Sequence, residues 1–148
     1  MEEVITIAIR YLSRRDYSRR ELYDRLQTKG FASAVIEAAL NDLEEKGYQS
    51  DERFAETFLR SRINSGDGPF KIKMQLGQKG VAKAVITQLF DNIDIDWRAQ
   101  AHKVRQKHFG DQLPADNTNL SKQMRYLRNK GFYQDHIDAV MNYYSLEK

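Results

Sequence analysis

Cysteine is absent from the 148 residues. Disulfides, thiolate metal sites and a cysteine nucleophile are therefore excluded, and the chain suits a reducing compartment. Proline occurs only twice and no Gly/Ser tract is present, so no flexible linker is expected. Long hydrophobic runs are missing too. The partly apolar stretch 1–12 opens with Glu2 and Glu3, is too short to span a bilayer and lacks the basic start of a signal peptide. The expectation is a cytoplasmic protein without membrane contact. The three histidines, His102, His108 and His136, are scattered, with no paired helical metal motif. Asp94 and Asp96 read as helix caps rather than as a divalent-ion site. Gly66-Asp67-Gly68-Pro69 lacks the lysine and hydroxyl residue of a phosphate loop and follows no strand, so it reads as a turn. No serine, lysine or carboxylate pair sits where a neighbour would activate it. The expectation is a protein that works by binding, with no catalytic residue, metal or cofactor.

What is present is charge and helical punctuation. Charged residues make up 30% of the chain and the net charge is +3. The surplus lies in residues 97–148, which hold nine basic and five acidic side chains. Near the other end, Arg10, Arg14, Arg15, Arg19, Arg20, Arg25 and Lys29 form a basic run. Such runs attract polyanions or an acidic protein surface.

One phrase recurs four times: a leucine, two residues that are mostly polar, a lysine, a glycine and an apolar residue. The copies are Leu26 to Phe31, Leu43 to Tyr48, Leu76 to Val81 and Leu127 to Phe132. Each reads as the end of a helix. The leucine lies on the buried stripe and the lysine faces the negative end of the dipole. The glycine takes a left-handed conformation, and the apolar residue folds back. After Gly30, Gly80 and Gly131, apolar or half-apolar residues follow at the same offsets: Val35, Ile36, Leu40; Val85, Ile86, Phe90; His136, Ile137, Met141. The glycines are about fifty residues apart, at the upper end of helical repeat periods. The expected fold is all-α: three tandem three-helix repeats, 1–50, 51–95 and 96–148, in one continuous, elongated and curved solenoid-like array.

Along the chain, Ile5, Ala8, Ile9 and Leu12 mark a first helix, and Ser18 to Glu21 form a capping box for a second. Ser33 is expected to cap the third. Ser50-Asp51 starts a fourth with a stripe of Phe54, Ala55, Phe58 and Leu59, the two aromatics expected to be buried. Pro69 opens a fifth, with Ile72, Leu76 and either Phe70 or Met74 inward. A sixth runs over about 82–92. Asp94 or Asp96 caps a seventh that carries Trp97, Ala101, Val104, Arg105 and His108. Residues 111–119 are the longest irregular stretch, an eighth helix spans about 120–130, and the last carries Ile137, Val140, Met141 and Tyr144. No segment alternates with period two, so no sheet is expected.

These residues resemble the RecX family of regulatory proteins. The resemblance rests on Asp51-Glu52-Arg53-Phe54-Ala55-Glu56-Thr57-Phe58 with Arg60 and Arg62, and on Tyr11 to Leu22 with Lys29-Gly30-Phe31. It rests also on Leu43, Gly47 and Tyr48 and, more loosely, on the Gly80 and Gly131 stretches. It implies a bacterial cytoplasmic protein that binds the RecA recombinase as a filament on single-stranded DNA; a monomer is the expected state of the chain. It implies inhibition of recombinase, ATPase and co-protease activities in DNA repair, recombination and the SOS response, without chemistry of its own. Two residues depart from the repeat: His136 stands where Val35 and Val85 stand, and Gln123 where Leu22 and Ile72 stand.

The charge pattern supplies only candidate contacts: Arg14, Arg15, Arg19, Arg20, Arg60, Arg62, Lys122, Arg125 and Arg128. The alternative is a direct single- or double-stranded DNA binder that uses these basic faces, with Trp97, Tyr11, Tyr17, Tyr126 and Phe132 as stacking groups. Net +3 is small for binding that rests on phosphates alone.

Overall fold

Apolar residues spaced three and four apart, cut at short intervals by glycine, dictate short helices that bury one stripe each. The computed structural model describes residues 1–111 and 114–146, the side chains of 144–146 excepted. Among these, every regular element is helical: α1 (Glu2–Leu12), α2 (Arg19–Thr28), α3 (Ser33–Glu45), α4 (Asp51–Asn64), α5 (Pro69–Gln78), α6 (Lys83–Asn92), α7 (Trp97–Phe109), α8 (Asn117–Asn129) and α9 (Gln134–Leu146). The fold is all-α and repeats a three-helix pattern three times. Two compact units can be distinguished: Met1–Leu59 with Gln75–Asn92, and Arg60–Met74 with Ile93–Lys148.

All four phrases end helices, and by one hydrogen-bond pattern. The amide after each glycine donates to the leucine carbonyl five residues back: Phe31 to Leu26, Tyr48 to Leu43, Val81 to Leu76 and Phe132 to Leu127, at 2.9–3.4 Å. Each glycine amide donates to the carbonyl three residues back. This is the Schellman arrangement, and Gly30, Gly47, Gly80 and Gly131 all have positive φ. A fifth stop at Gly66 has the same pattern, Asp67 to Arg62 and Gly66 to Ile63, where the sequence shows only a turn.

In the first unit, Val4, Ala8, Tyr17, Leu22, Leu26, Ile36, Ala39, Leu40 and Leu43 form one core. In the second, Ala101, Val104, Leu127, Phe132, Ile137, Val140 and Met141 form another. The capping box at Ser18 and Glu21 is complete, and Asp96 caps α7.

Several expectations need correction. The inner stripe of α1 includes Val4 beside Ala8, with Ile5 and Leu12 packed against the core as expected, while Ile9 faces out. Ser33 does not cap α3. It is the first helical residue, and its hydroxyl accepts from Tyr23. Tyr48 is 51% exposed and does not fold back; Gln49 is buried instead, donating to the Tyr17 carbonyl and to Asp51. Phe70 and Met74 are both exposed, since Ile72 and Leu76 already fill the inner face of α5. Phe58 is half-buried, stacked on the buried Phe54 at 5.8 Å. The eighth helix starts early, because Asp116 accepts from the Asn119 amide. Gln112 and Leu113 of the irregular stretch, and the Tyr144 side chain, lie outside the described residues.

Two stops do more than end helices. In the first unit Ser18 Oγ donates to the Lys79 carbonyl at 2.8 Å, and Lys79 Nζ reaches Glu21 at 3.1 Å. A Cβ on Gly80 would lie 2.7 Å from Arg20 Cβ. In the second unit the Gly68 amide donates to the Lys130 carbonyl at 2.7 Å and the Phe70 amide to the Gly131 carbonyl at 2.9 Å. Lys130 Nζ lies 3.5 Å from Asp67. Both joints seat the start of a middle helix on a Lys-Gly stop about sixty residues later. In both, the stop lysine's carbonyl takes a donor and its ammonium faces a carboxylate.

Candidate partner interface

Side chains that could meet a partner must be exposed and not already spent on neighbours. Arg14 and Arg20 are exposed beside the start of α2. Arg15 is drawn onto Glu21 at 3.3 Å and lies 3.6 Å from the Tyr17 ring centre. Arg19 is held by Glu37 at 2.7 Å and by Glu44 at 3.0 Å. Burial opposes ionisation of Glu21, but hydrogen bonds from Arg15, the Ser18 amide and Lys79 outweigh it and hold its carboxyl below the usual glutamate value. This arginine cluster is thus partly a brace for the turn into α2.

In the second unit Arg60 is exposed, while Arg62 turns inward onto Asp67 at 3.3 Å. Asp67, only 4% exposed as a side chain, also takes Lys71 at 3.4 Å and Lys130 at 3.5 Å. Three cations round one enclosed carboxylate leave a net positive surface there. Lys122, Arg125 and Arg128 are exposed on α8. Arg128 donates to Gln134. Lys122 and Arg125 have no ion pair among the described residues, so their charge is available.

A feature not anticipated from the sequence lies nearby. Lys103, Lys107, His108, Tyr126 and Lys130 line a cleft of about 390 Å³ closed by residues Ile63 to Gly66. His108 stacks on Tyr126 with ring centres 3.9 Å apart. The signal was there in part, since Lys103 and Lys107 are one helical turn apart, but only the fold sets Tyr126 and Lys130 opposite them.

The proposed stacking groups fare unevenly. Tyr17 and Phe132 are buried and present no face to a base. Tyr11, Trp97 and Tyr126 are half-exposed. Gln123 and Arg105 account for one departure from the repeat: both are buried, and Arg105 Nε donates to Gln123 Oε1 at 3.0 Å. His136 Nδ1 accepts from the Tyr133 amide at the start of α9. Among the described residues no group of three His, Asp or Glu could hold a metal ion, and no helix is long and apolar enough to cross a membrane. The exposed cations offer charge complementarity to an acidic surface.

Comparison with known proteins bears on what such a surface meets. Three family models match in order: "RecX, first three-helix domain" over residues 5–43, the second over 50–89 and the third over 94–141. The chain is 39% identical over 139 residues to the regulatory protein RecX of Halorhodospira halophila, covering 94% of this chain and 86% of that one. It is 42% identical over 134 residues to its counterpart in Chromohalobacter salexigens, covering 90% and 88%. The crystal structure of RecX from Lactobacillus salivarius superposes with a TM-score of 0.81 at 22% identity, covering 98% of this chain and 96% of that one, a likeness of fold.

Proposed function

The chain belongs to the RecX family of regulatory proteins, and on that premise we propose that it binds the RecA recombinase as a filament on single-stranded DNA and damps its activity. It acts in the bacterial cytoplasm, without chemistry or cofactor of its own. The observation that carries this reading is the match of all three family domains, in order, on one chain. The exposed cations Arg14 and Arg20 beside the start of α2, and Lys122 and Arg125 on α8, support it. A ligand that binds one filament conformation better than another shifts the population toward it, which suffices to inhibit ATP hydrolysis and strand exchange. Patches on two units would act together, each raising the effective concentration of the other.

The test is co-sedimentation with RecA filaments on single-stranded DNA, with bare single-stranded DNA and with RecA alone, at two salt concentrations. Retention by the filament beyond that by bare DNA, surviving the higher salt, is expected. Equal retention by filament and bare DNA would sink the reading. A direct DNA-binding role is the second reading, favoured by the Lys103, Lys107 and Lys130 cleft beside the stacked His108 and Tyr126 rings. It predicts a steep salt dependence that is the same with and without RecA.

A further inference from the structure

The Lys-Gly stop after the middle helix occurs in all three repeats, and in two of them it is a socket. Lys79-Gly80 receives the start of α2, and Lys130-Gly131 receives the start of α5. The incoming chemistry is the same in both. A donor at the beginning of a helix, the Ser18 hydroxyl or the Gly68 amide, meets the lysine carbonyl. A carboxylate within one turn of it, Glu21 or Asp67, meets the lysine ammonium. The glycine is required twice over, for its positive φ and because a Cβ would strike the incoming helix.

Lys29-Gly30 is the third copy, and it is empty. Gly30 has φ of 97°, as the other two stops have 84° and 100°, yet nothing lies within 4 Å of the place a Cβ would take. Among the described residues, neither the Lys29 carbonyl nor its ammonium has a partner. Gly47, also open around its Cβ position, differs: its carbonyl already accepts from Arg53. Beside Lys29 lies a depression of about 420 Å³ lined by Tyr11, Asp24, Arg25 and Thr28. Arg25 and Lys29 make its rim cationic, with Asp24 the one acidic group.

We propose that Lys29-Gly30 is a docking socket for the N-terminus of a helix from a partner protein, one that presents a hydroxyl or free amide at its cap and a carboxylate in or just before its first turn. A second copy of this chain would have to offer the start of α8. That start is capped by Asp116, whose carboxylate already accepts from the Asn119 amide, and it carries Lys122 where α2 has Glu21, a like charge for Lys29.

The inference rests on the repeated joint, and its test contains no recombinase, so it stands or falls apart from the proposed function. The probe is a synthetic peptide of residues 16–28, which carries Ser18 and Glu21, with Thr28→Lys joined to Asp24 by a side-chain lactam to hold the helix. It is titrated into the isotope-labelled full chain and followed by amide shifts. Saturable shifts are expected at Lys29, Gly30 and Phe31. A Glu21→Lys peptide should bind roughly two- to fivefold more weakly, as should the parent peptide with a Lys29→Glu chain. Pairing the two reversed partners should restore the shifts. Lys29→Gln serves as a second variant at the same exposed position, with no new charge. The proposal is overturned if no shifts arise at these amides, or if both peptides act alike. It is equally overturned if the same shifts follow concentration of the chain alone, or addition of a single-stranded oligonucleotide; those results would assign the socket to a second copy or to phosphate.

Discussion

Arg105 and Gln123 lie 3.0 Å apart, Nε to Oε1, with both side chains withdrawn from solvent. Gln123 occupies the place that Leu22 and Ile72 hold in the other repeats, so the third repeat replaces an apolar contact with a polar one. Arg105 also donates to the Gly110 carbonyl, and Gln123 to Asn119, which ties the end of α7 to the start of α8.

Restoring the apolar residue should therefore harm the fold. Gln123→Leu leaves a buried guanidinium short of an acceptor and should cost about 2–4 kcal/mol in urea unfolding. Arg105→Met alone should cost less. The double variant should regain most of the loss, giving a coupling of about 1–3 kcal/mol. Additive single effects would mean that the pair is not coupled.

The stops offer a graded test. Gly30→Ala meets only backbone strain and should cost about 1 kcal/mol. Gly131→Ala meets the same strain and also places a Cβ against the Lys71 backbone nitrogen, 2.7 Å away. It should lower stability by roughly 3 kcal/mol or more, since overpacking adds to strain. Equal melting temperatures for the two variants would mean that the second joint yields freely.

Glu21 supplies a pH signature. Its carboxyl titrates below its ordinary value of 4.5 in the folded chain, so it stabilises the fold above that unfolded value. That contribution is lost as pH falls through the lower folded value. Glu21→Gln should thus be less stable than the parent at neutral pH, by about 1–2 kcal/mol for a charge-assisted set of hydrogen bonds. The gap should close in acid. A gap that persists unchanged below the folded value would show that the side chain matters for packing rather than charge.

The helix ends were legible because their physics is local. Leucine, lysine and glycine at fixed spacing carry the cap, the dipole and the left-handed turn within six residues. The joints were not legible, because Ser18 and Lys79, or Gly68 and Lys130, are about sixty residues apart and no local pattern announces their meeting. Arg105 was placed on its helix but not in the core, since an arginine reads as surface until a partner such as Gln123 is found. Tyr48 went the other way. It occupies the apolar slot of the phrase, yet Gln49 is buried beside it because two oxygen acceptors, on Tyr17 and Asp51, await its amide. Of the candidate contacts, Arg15, Arg19 and Arg62 turn out to brace neighbours through Glu21, Glu37 with Glu44, and Asp67. A count of charges along the sequence could not separate those from Lys122 and Arg125.

Charge reversal on α8 tests the functional account most directly. Lys122, Arg125 and Arg128 are changed together to glutamate, and circular dichroism establishes that the helices persist. ATP hydrolysis by RecA on single-stranded DNA is then followed as the chain is titrated in. If α8 contributes one of two cooperating patches, the concentration needed for half-inhibition should rise by about tenfold or more, well beyond what one exposed ion pair supplies. A folded variant that inhibits RecA as well as the parent does would contradict the assignment.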